Sequence, residues 1–154
     1  MSVISDFVDV IDTRLSSVVG VSVIVPTRQA GDAFGDKTVT VKTKDVERLE
    51  EYDRPGNPPA VGKLLPVMIT GTVIPSELAV TPTPFHEAAA DLGTDLQNSI
   101  TSPANWHTFG GNSIDASVGE LKFIEPDDET PGAVQFMIEI KYRVDETNHN
   151  TLRA

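Results

Sequence analysis

The segment "SPANWHTFGGNSID", residues 102–115, holds the residue types of this chain that most resemble an active site. Trp106 and His107 could stack on a ligand and hydrogen-bond to it, while Gly110 and Gly111 could let a phosphate approach bare backbone amides. The alternative is a turn, in which Trp106 anchors the loop on the core and the glycines supply backbone freedom. None of these residues has a partner at a spacing that defines a reaction. We therefore favour the turn.

Other chemical motifs are weak in this sequence. The three histidines fall in a helical pattern, a loop and a tail, which does not favour a shared metal ion. The acids of "PDDET" lack the ligand spacing of an EF-hand loop, so a solvated turn is the better interpretation. The chain has no cysteine, no G-x-S-x-G and no phosphate-loop lysine after "TFGGN". We expect no enzyme, no cofactor and no metal, although a paired-carboxylate hydrolase stays open because the convergence of acids is three-dimensional.

Length and charge limit the possible classes of protein. A chain of 154 residues with 39% hydrophobic content and no internal repeat predicts one domain over residues 1–154. Twelve Lys and Arg against 23 Asp and Glu give a formal charge of −11, which repels nucleic acid. The apolar runs are strand-sized and the start is acidic, so we expect a soluble, unexported protein without a membrane partner.

The first third of the chain predicts a helix and two strands. Apolar residues recur at helical spacing over residues 4–18, with Ser2 as cap and Gly20 as stop. Residues 21–25 and 37–43 have the pattern of strands. The eleven residues between them predict a long hairpin loop.

A charged, proline-rich segment follows at residues 44–63, and it is long for a loop in a compact domain. Residues 64–75 alternate as a half-buried strand, with Pro66 near an edge or a bulge. The second helix has its apolar stripe over residues 85–100, with Thr83 as cap and Pro84 at the first helical position.

Two further strands are predicted at residues 112–124 and 133–144, with a β-bulge near Gly119 where the alternation changes parity. Residues 145–154 form a polar tail that either frays or serves as a binding arm. The element order predicts an α+β fold: a mixed or mainly antiparallel sheet of about five strands, with two helices packed on one face.

Two features favour association with other protein chains. A five-stranded open sheet leaves two edges that a soluble monomer must protect. The segment 44–63 carries apolar residues beyond the needs of a turn. Assembly with a partner would satisfy both, and a plain monomeric binding module with a covered edge is the alternative.

Four pieces of the sequence occur in an order that resembles the tail-terminator, or tail-completion, proteins of long-tailed bacteriophages. They are "EYDRPGNPPAVGK", then "VIPSE" before a helix, then "SPANWHTFGGNSIDA", and finally "IEIKYRVDETN" in the last strand. The resemblance covers roughly residues 44–150, about two thirds of the chain, and lies in the order of the pieces. The tail departs from the pattern, because "TNHNTL" stands where a proline-tyrosine pair is expected.

The resemblance implies a structural virion protein whose copies form a ring, commonly a hexamer, on the finished tail tube. The ring would join the tail to the head-side neck, and a head-side adaptor in the neck is the nearest alternative. Its partners would be itself, the tail-tube protein and neck proteins. Six copies at −11 each would carry −66, so the genome would pass through the lumen without specific binding. The implied location is the virion, and the host cytoplasm during assembly.

The predicted contact residues lie mainly in the proline-rich segment, with one in the Trp106 loop and one in the last strand. They are Leu49, Tyr52, Arg54, Pro55, Asn57, Pro58, Pro59, Trp106 and Arg143.

Overall fold

Two α-helices pack on an eight-stranded sheet in the computed structural model, which describes residues 2–18, 21–24, 37–73, 85–127 and 132–153. Helix α1 is Val3–Leu15 and helix α2 is Phe85–Thr101. The Oγ of Ser2 accepts a hydrogen bond from the N–H of Ser5 at 3.1 Å, which confirms Ser2 as the cap of α1. Helix α1 ends at Leu15, three residues before the end of the pattern over residues 4–18. The predicted stop Gly20, cap Thr83 and first-turn Pro84 lie outside the described residues.

The sheet is mixed, which confirms the predicted α+β class with more strands than predicted. Its strand order is β1-β2-β4-β7-β5, with β3 also paired to β4, and β6 and β8 also paired to β7. Strand β3 shares one side of β4 with β2, and β6 and β8 share one side of β7 with β5, so the sheet is five strands wide. The strands are β1 Val21–Ile24, β2 Lys37–Thr43, β3 Glu47–Arg48, β4 Ala60–Val73, β5 Asp115–Val118, β6 Lys122–Ile124, β7 Gly132–Asp145 and β8 Asn148–Leu152.

The predicted hairpin between the first two strands is wrong. Strand β1 pairs with β2 in parallel, with Val21 opposite Lys37 and Val23 opposite Val39. A parallel pair needs a crossover connection, because the chain must return to the end where the first strand began. The connecting residues lie outside the described ranges.

Strand β4 begins at Ala60, four residues earlier than predicted, so the proline-rich segment is shorter than 44–63. The partner of β4 changes from β2 to β3 opposite Pro66. Thr43 pairs with Val67 and Glu47 with Leu64, so the three residues 44–46 lie opposite the two residues 65–66. The Pro66 carbonyl accepts the N–H of Lys44 at 2.8 Å. The nitrogen of Pro66 points to the same side as its carbonyl, toward the irregular junction of β2 and β3. The N–H that proline lacks would therefore not have bonded to β7, and no hydrogen bond between β4 and β7 is lost.

The bulge near Gly119 is confirmed. Val118 pairs with Ile138 and Lys122 with Gln135, so three residues again face two, and the N–H of Gly119 donates to the Met137 carbonyl at 2.8 Å. The predicted strand 112–124 is therefore β5 and β6, and it starts at Asp115, three residues later than predicted.

The polar tail does not fray over its described residues. Strand β8 folds back on β7, with Leu152 opposite Val144. Its side chains are exposed except that of Leu152, which is partly buried, so β8 is attached to β7 by backbone pairing and little burial.

The core lies between the two helices and one face of β4 and β7. The ring of Phe7 in α1 contacts Tyr142 at 5.2 Å between centroids, and a Cβ on Gly71 would lie 2.9 Å from Leu92 of α2. Gly93 of α2 is buried against the sheet, where an added Cβ would lie 3.0 Å from a side-chain carbon of Val134. Alternate residues of β4 and β7 form the buried face: Val61, Leu65, Val67, Ile69, Val134, Phe136, Ile138, Ile140, Tyr142 and Val144.

Candidate protein interface

Tyr52 and Arg143 meet on the sheet face opposite the helices. The Nε of Arg143 donates a hydrogen bond to the backbone carbonyl of Tyr52 at 2.5 Å, across 91 residues of sequence. The Arg143 guanidinium lies 5.8 Å from the centre of the Tyr52 ring, and the Lys141 ammonium lies 5.6 Å from it. Both distances are within the range of cation–π attraction. The structure thus brings together two of the predicted contact residues.

A glycine in β4 allows this approach. Gly62 lies opposite Arg143 in the β4–β7 register. A Cβ on Gly62 would lie 2.3 Å from the Leu49 carbonyl oxygen and 2.6 Å from the Tyr52 Cβ. No real Cβ tolerates such contacts, so only glycine lets the 3₁₀ turn Glu50–Tyr52 cross the sheet here. Leu49 fixes the same crossing by donating its N–H to the Gly62 carbonyl at 3.0 Å.

Asp53 ties the end of the 3₁₀ turn to the sheet. Its Oδ1 accepts the N–H of Gly62 at 2.8 Å, and its Oδ2 pairs with Arg48 at 2.7 Å. The hydrogen bond from Arg48, followed by that from Gly62, lowers the pKa of Asp53 below its usual 3.8. The carboxylate therefore holds the proline-rich segment in place in its charged form.

Beyond Asp53 the chain forms a tip that is fixed at both ends. Arg54 and Ala60 exchange two backbone hydrogen bonds of 2.9 Å each. The C-terminal hairpin supports the tip from the side, because the Arg153 Nη1 donates to the Pro58 carbonyl at 3.1 Å and the Glu146 N–H to the Pro59 carbonyl at 3.0 Å. Sequence reasoning missed Arg153, since the polarity of the tail gave no sign of this contact.

The predicted contact residues of the segment fall into two groups. Leu49, Tyr52 and Pro58 are half-buried, and they attach the segment to the sheet. Exposed around the tip are Arg54, Pro55, Asn57 and Pro59. The peptide between Asn57 and Pro58 is cis.

Positive charge collects beside Tyr52, in contrast to the acidic balance of the chain. Arg143 is only 8% exposed, and burial, followed by the nearby Arg54, lowers its pKa. Within the described ranges, no carboxylate lies within 4.0 Å of Arg54, Lys141 or Arg143. We call these three residues the basic patch.

Trp106 does not belong to this surface. It lies on the helix side of the sheet, where Arg14 of α1 donates to the carbonyls of Trp106 and Ile100 at 3.0 and 3.1 Å. It is partly buried, whereas Phe109 is fully buried. The expected role of Trp106 as the anchor of the loop thus belongs mainly to Phe109, whose ring contacts Phe7 at 6.2 Å.

The rest of this loop has the bonding of a turn. Three consecutive N–H groups, of Gly111, Asn112 and Ser113, donate to the Thr108 carbonyl at 2.8–3.0 Å. Gly110 and Gly111 adopt φ values of +78° and +88°, which glycine adopts readily. The Ser113 hydroxyl donates to the His107 carbonyl, so the backbone of His107 is part of the turn.

No protein-family model and no curated protein matches the chain. Within the described ranges, no group of three or more His, Asp and Glu side chains is arranged to hold a metal ion. No described helix has the length and hydropathy to cross a membrane.

Proposed function

We propose that this chain is a structural subunit that assembles with copies of itself into a ring on the end of a bacteriophage tail tube and joins the tail to the head-side neck. The observation that carries the proposal is the hydrogen bond between Arg143 and Tyr52. It joins two of the four sequence pieces that resemble the tail-terminator family, "EYDRPGNPPAVGK" and "IEIKYRVDETN", in one surface.

The geometry of the proline-rich segment supports a mechanical role. Its base is held by Asp53 and Arg143, while its tip is exposed and fixed by the Arg54–Ala60 pair. A projecting element that is already ordered loses little conformational entropy on binding, which suits a permanent contact in an assembly.

The sheet supports the same proposal. Exposed apolar residues lie on its edge strand β6, where Phe123 is 41% exposed and Ile124 is 42% exposed. Neighbouring subunits, the tube protein or a neck protein would cover such surfaces in the virion. The acidic balance of the chain would keep the genome from adhering to the ring.

Co-sedimentation tests the proposal. The purified chain is mixed separately with tail tubes and with neck proteins encoded in the same genome, and electron microscopy of the gold-labelled chain locates it. We expect label at one end of each tube. A chain that associates with neither the tubes nor the neck proteins would contradict the proposal, whereas a free monomer in solution agrees with assembly on the tube.

A further inference from the structure

The exposed side of α2 carries three carboxylates at four-residue spacing, Glu87, Asp91 and Asp95. Like charges at this spacing repel each other and destabilise a helix. Helix α2 contains no Lys or Arg, and none of the three carboxylates forms an ion pair with a residue in the described ranges. We call these residues the acidic stripe. No positively charged side chain in the described fold offsets this repulsion, and only Glu87, in the first turn of α2, is favoured by the helix dipole.

The basic patch carries an excess of positive charge. Its best-placed member is Arg143, which is more than nine-tenths buried and uses only Nε for a hydrogen bond within the described structure. The outer nitrogens of its guanidinium remain free for a carboxylate, in a position fixed by Tyr52. Asp115 lies opposite Lys141 in the β5–β7 register, and Glu139 lies on the same face, but neither forms an ion pair with the patch.

The stripe and the patch lie on opposite sides of the sheet. Strand β4 shows this directly, since Gly71 faces Leu92 of α2 and Gly62 faces Tyr52. These two glycines are nine positions apart on one strand, and an odd separation places them on opposite faces. The two surfaces therefore cannot meet within one copy, but they can meet between copies.

We infer that the acidic stripe of one copy docks on the basic patch of the next. Two copies at −11 repel each other overall, and contact between the stripe and the patch would offset that repulsion locally. An arginine held in a partly desolvated position forms strong paired hydrogen bonds with a carboxylate. Contact between two different faces repeats head to tail, and it forms a ring where the rotation between neighbouring copies closes. The inference rests on the proposed function, because it names the contact between neighbouring subunits of that ring.

Two full-length charge-reversed variants test the inference. The first carries Glu87→Lys, Asp91→Lys and Asp95→Lys, so that both its surfaces are positive. The second carries Arg54→Glu and Lys141→Glu, which makes its patch largely negative while the buried Arg143 is untouched. All five positions except Lys141 are exposed, and Lys141 is half-exposed, so both variants should fold, which circular dichroism checks.

Sedimentation velocity at low salt and high protein concentration measures association. We expect each variant alone to associate more than about tenfold more weakly than the wild type, because like charges face each other. An equimolar mixture should recover association, because each stripe then meets a patch of opposite charge. A control with Glu120→Lys and Asp45→Lys, two exposed acids outside both surfaces, should associate at least as well as the wild type.

A mixture that associates no better than either variant alone would overturn the inference. So would a wild type that stays monomeric under these conditions, or variants that each associate like an associating wild type. Should a reversed variant fail to fold, the neutral changes Glu87→Gln, Asp91→Asn and Asp95→Asn replace it, and unchanged association would overturn the inference equally. The sedimentation result does not involve the tail tube, so the two proposals can fail separately. If the mixture recovers association but the wild type does not bind tail tubes, only the proposed function is rejected. If both variants cap tubes as the wild type does, only this inference is rejected.

Discussion

Arg143 and Tyr52, 91 residues apart, are joined by a 2.5 Å hydrogen bond from a buried guanidinium to a backbone carbonyl. This bond connects the last long strand to the segment that crosses the sheet face opposite the helices. The bond therefore contributes to the stability of that segment, whose exposed tip we propose as a contact in the assembly.

Loss of the Arg143 side chain should loosen the crossing segment. Arg143→Ala removes a charged donor from the Tyr52 carbonyl, and we expect the free energy of unfolding to fall by about 1.5–3 kcal/mol. Urea denaturation measures this change. Arg54→Ala is the matched control, because Arg54 is exposed, and it should change stability by less than about 0.5 kcal/mol. Equal effects of the two substitutions would show that the Arg143–Tyr52 bond contributes nothing to stability.

The Trp106 loop should depend more on Phe109 than on Trp106. Phe109 is fully buried, so Phe109→Ala should lower the free energy of unfolding by about 3–5 kcal/mol. Trp106→Ala should cost roughly 1–2 kcal/mol, since Trp106 is only partly buried. His107→Ala should leave stability within about 0.5 kcal/mol of the wild type, because the turn uses its backbone carbonyl. Thermal melts decide the order, and a larger loss from Trp106→Ala than from Phe109→Ala would contradict it.

Acid should weaken the attachment of the proline-rich segment through Asp53. Its hydrogen bonds with Arg48 and Gly62 hold its folded-state pKa below 3.8, so its contribution to stability is complete above the unfolded pKa and is lost as the pH falls through the folded pKa. Asp53→Asn should therefore be less stable than the wild type by a constant amount between about pH 5 and about pH 7, and the difference should shrink below about pH 4.

Urea titrations at each pH measure this difference in stability. Arg48→Gln is the companion variant, because it removes the largest cause of the lowered pKa and should reduce the acid dependence. A difference between Asp53→Asn and the wild type that stays constant down to about pH 2 would contradict the role of the carboxylate.

The exposed tip should matter for assembly more than for folding. Replacement of residues 55–59 by glycine and serine at equal length keeps Arg54 and Ala60, whose hydrogen bonds close the tip. We expect a small loss of stability, because three prolines are removed from a loop, and a clear loss of tail-tube binding. A variant that binds tubes like the wild type would show that the tip makes no contact in the assembly.

Local patterns predicted the parts of the fold that depend on local chemistry. The apolar spacing of α1, the Ser2 cap and the parity change at Gly119 each reflect a few neighbouring residues, and the structure agrees with each. Pairing partners were harder to predict. Nothing in residues 21–24 distinguishes a parallel from an antiparallel neighbour, because both present the same alternating side chains.

For the candidate interface, the sequence predicts residues that take part but not the contact between them. Tyr52 and Arg143 were selected from sequence, but their contact depends on Gly62, whose missing side chain lets the chain cross the sheet. Phe109 was overlooked because its burial requires a left-handed backbone, with φ of +46°, which is uncommon for a phenylalanine. The β8 strand was missed because its exposed polar residues resemble those of a loose tail.

The length that tail tubes reach tests whether this protein caps the tube. Tail-tube protein is polymerised with and without the chain, and tube lengths are measured by electron microscopy over time. We expect added chain to stop elongation, so that the mean length becomes constant while tubes without it continue to grow. Tubes that grow equally fast and equally long in the presence of excess folded chain would contradict the claim that this protein caps the tube.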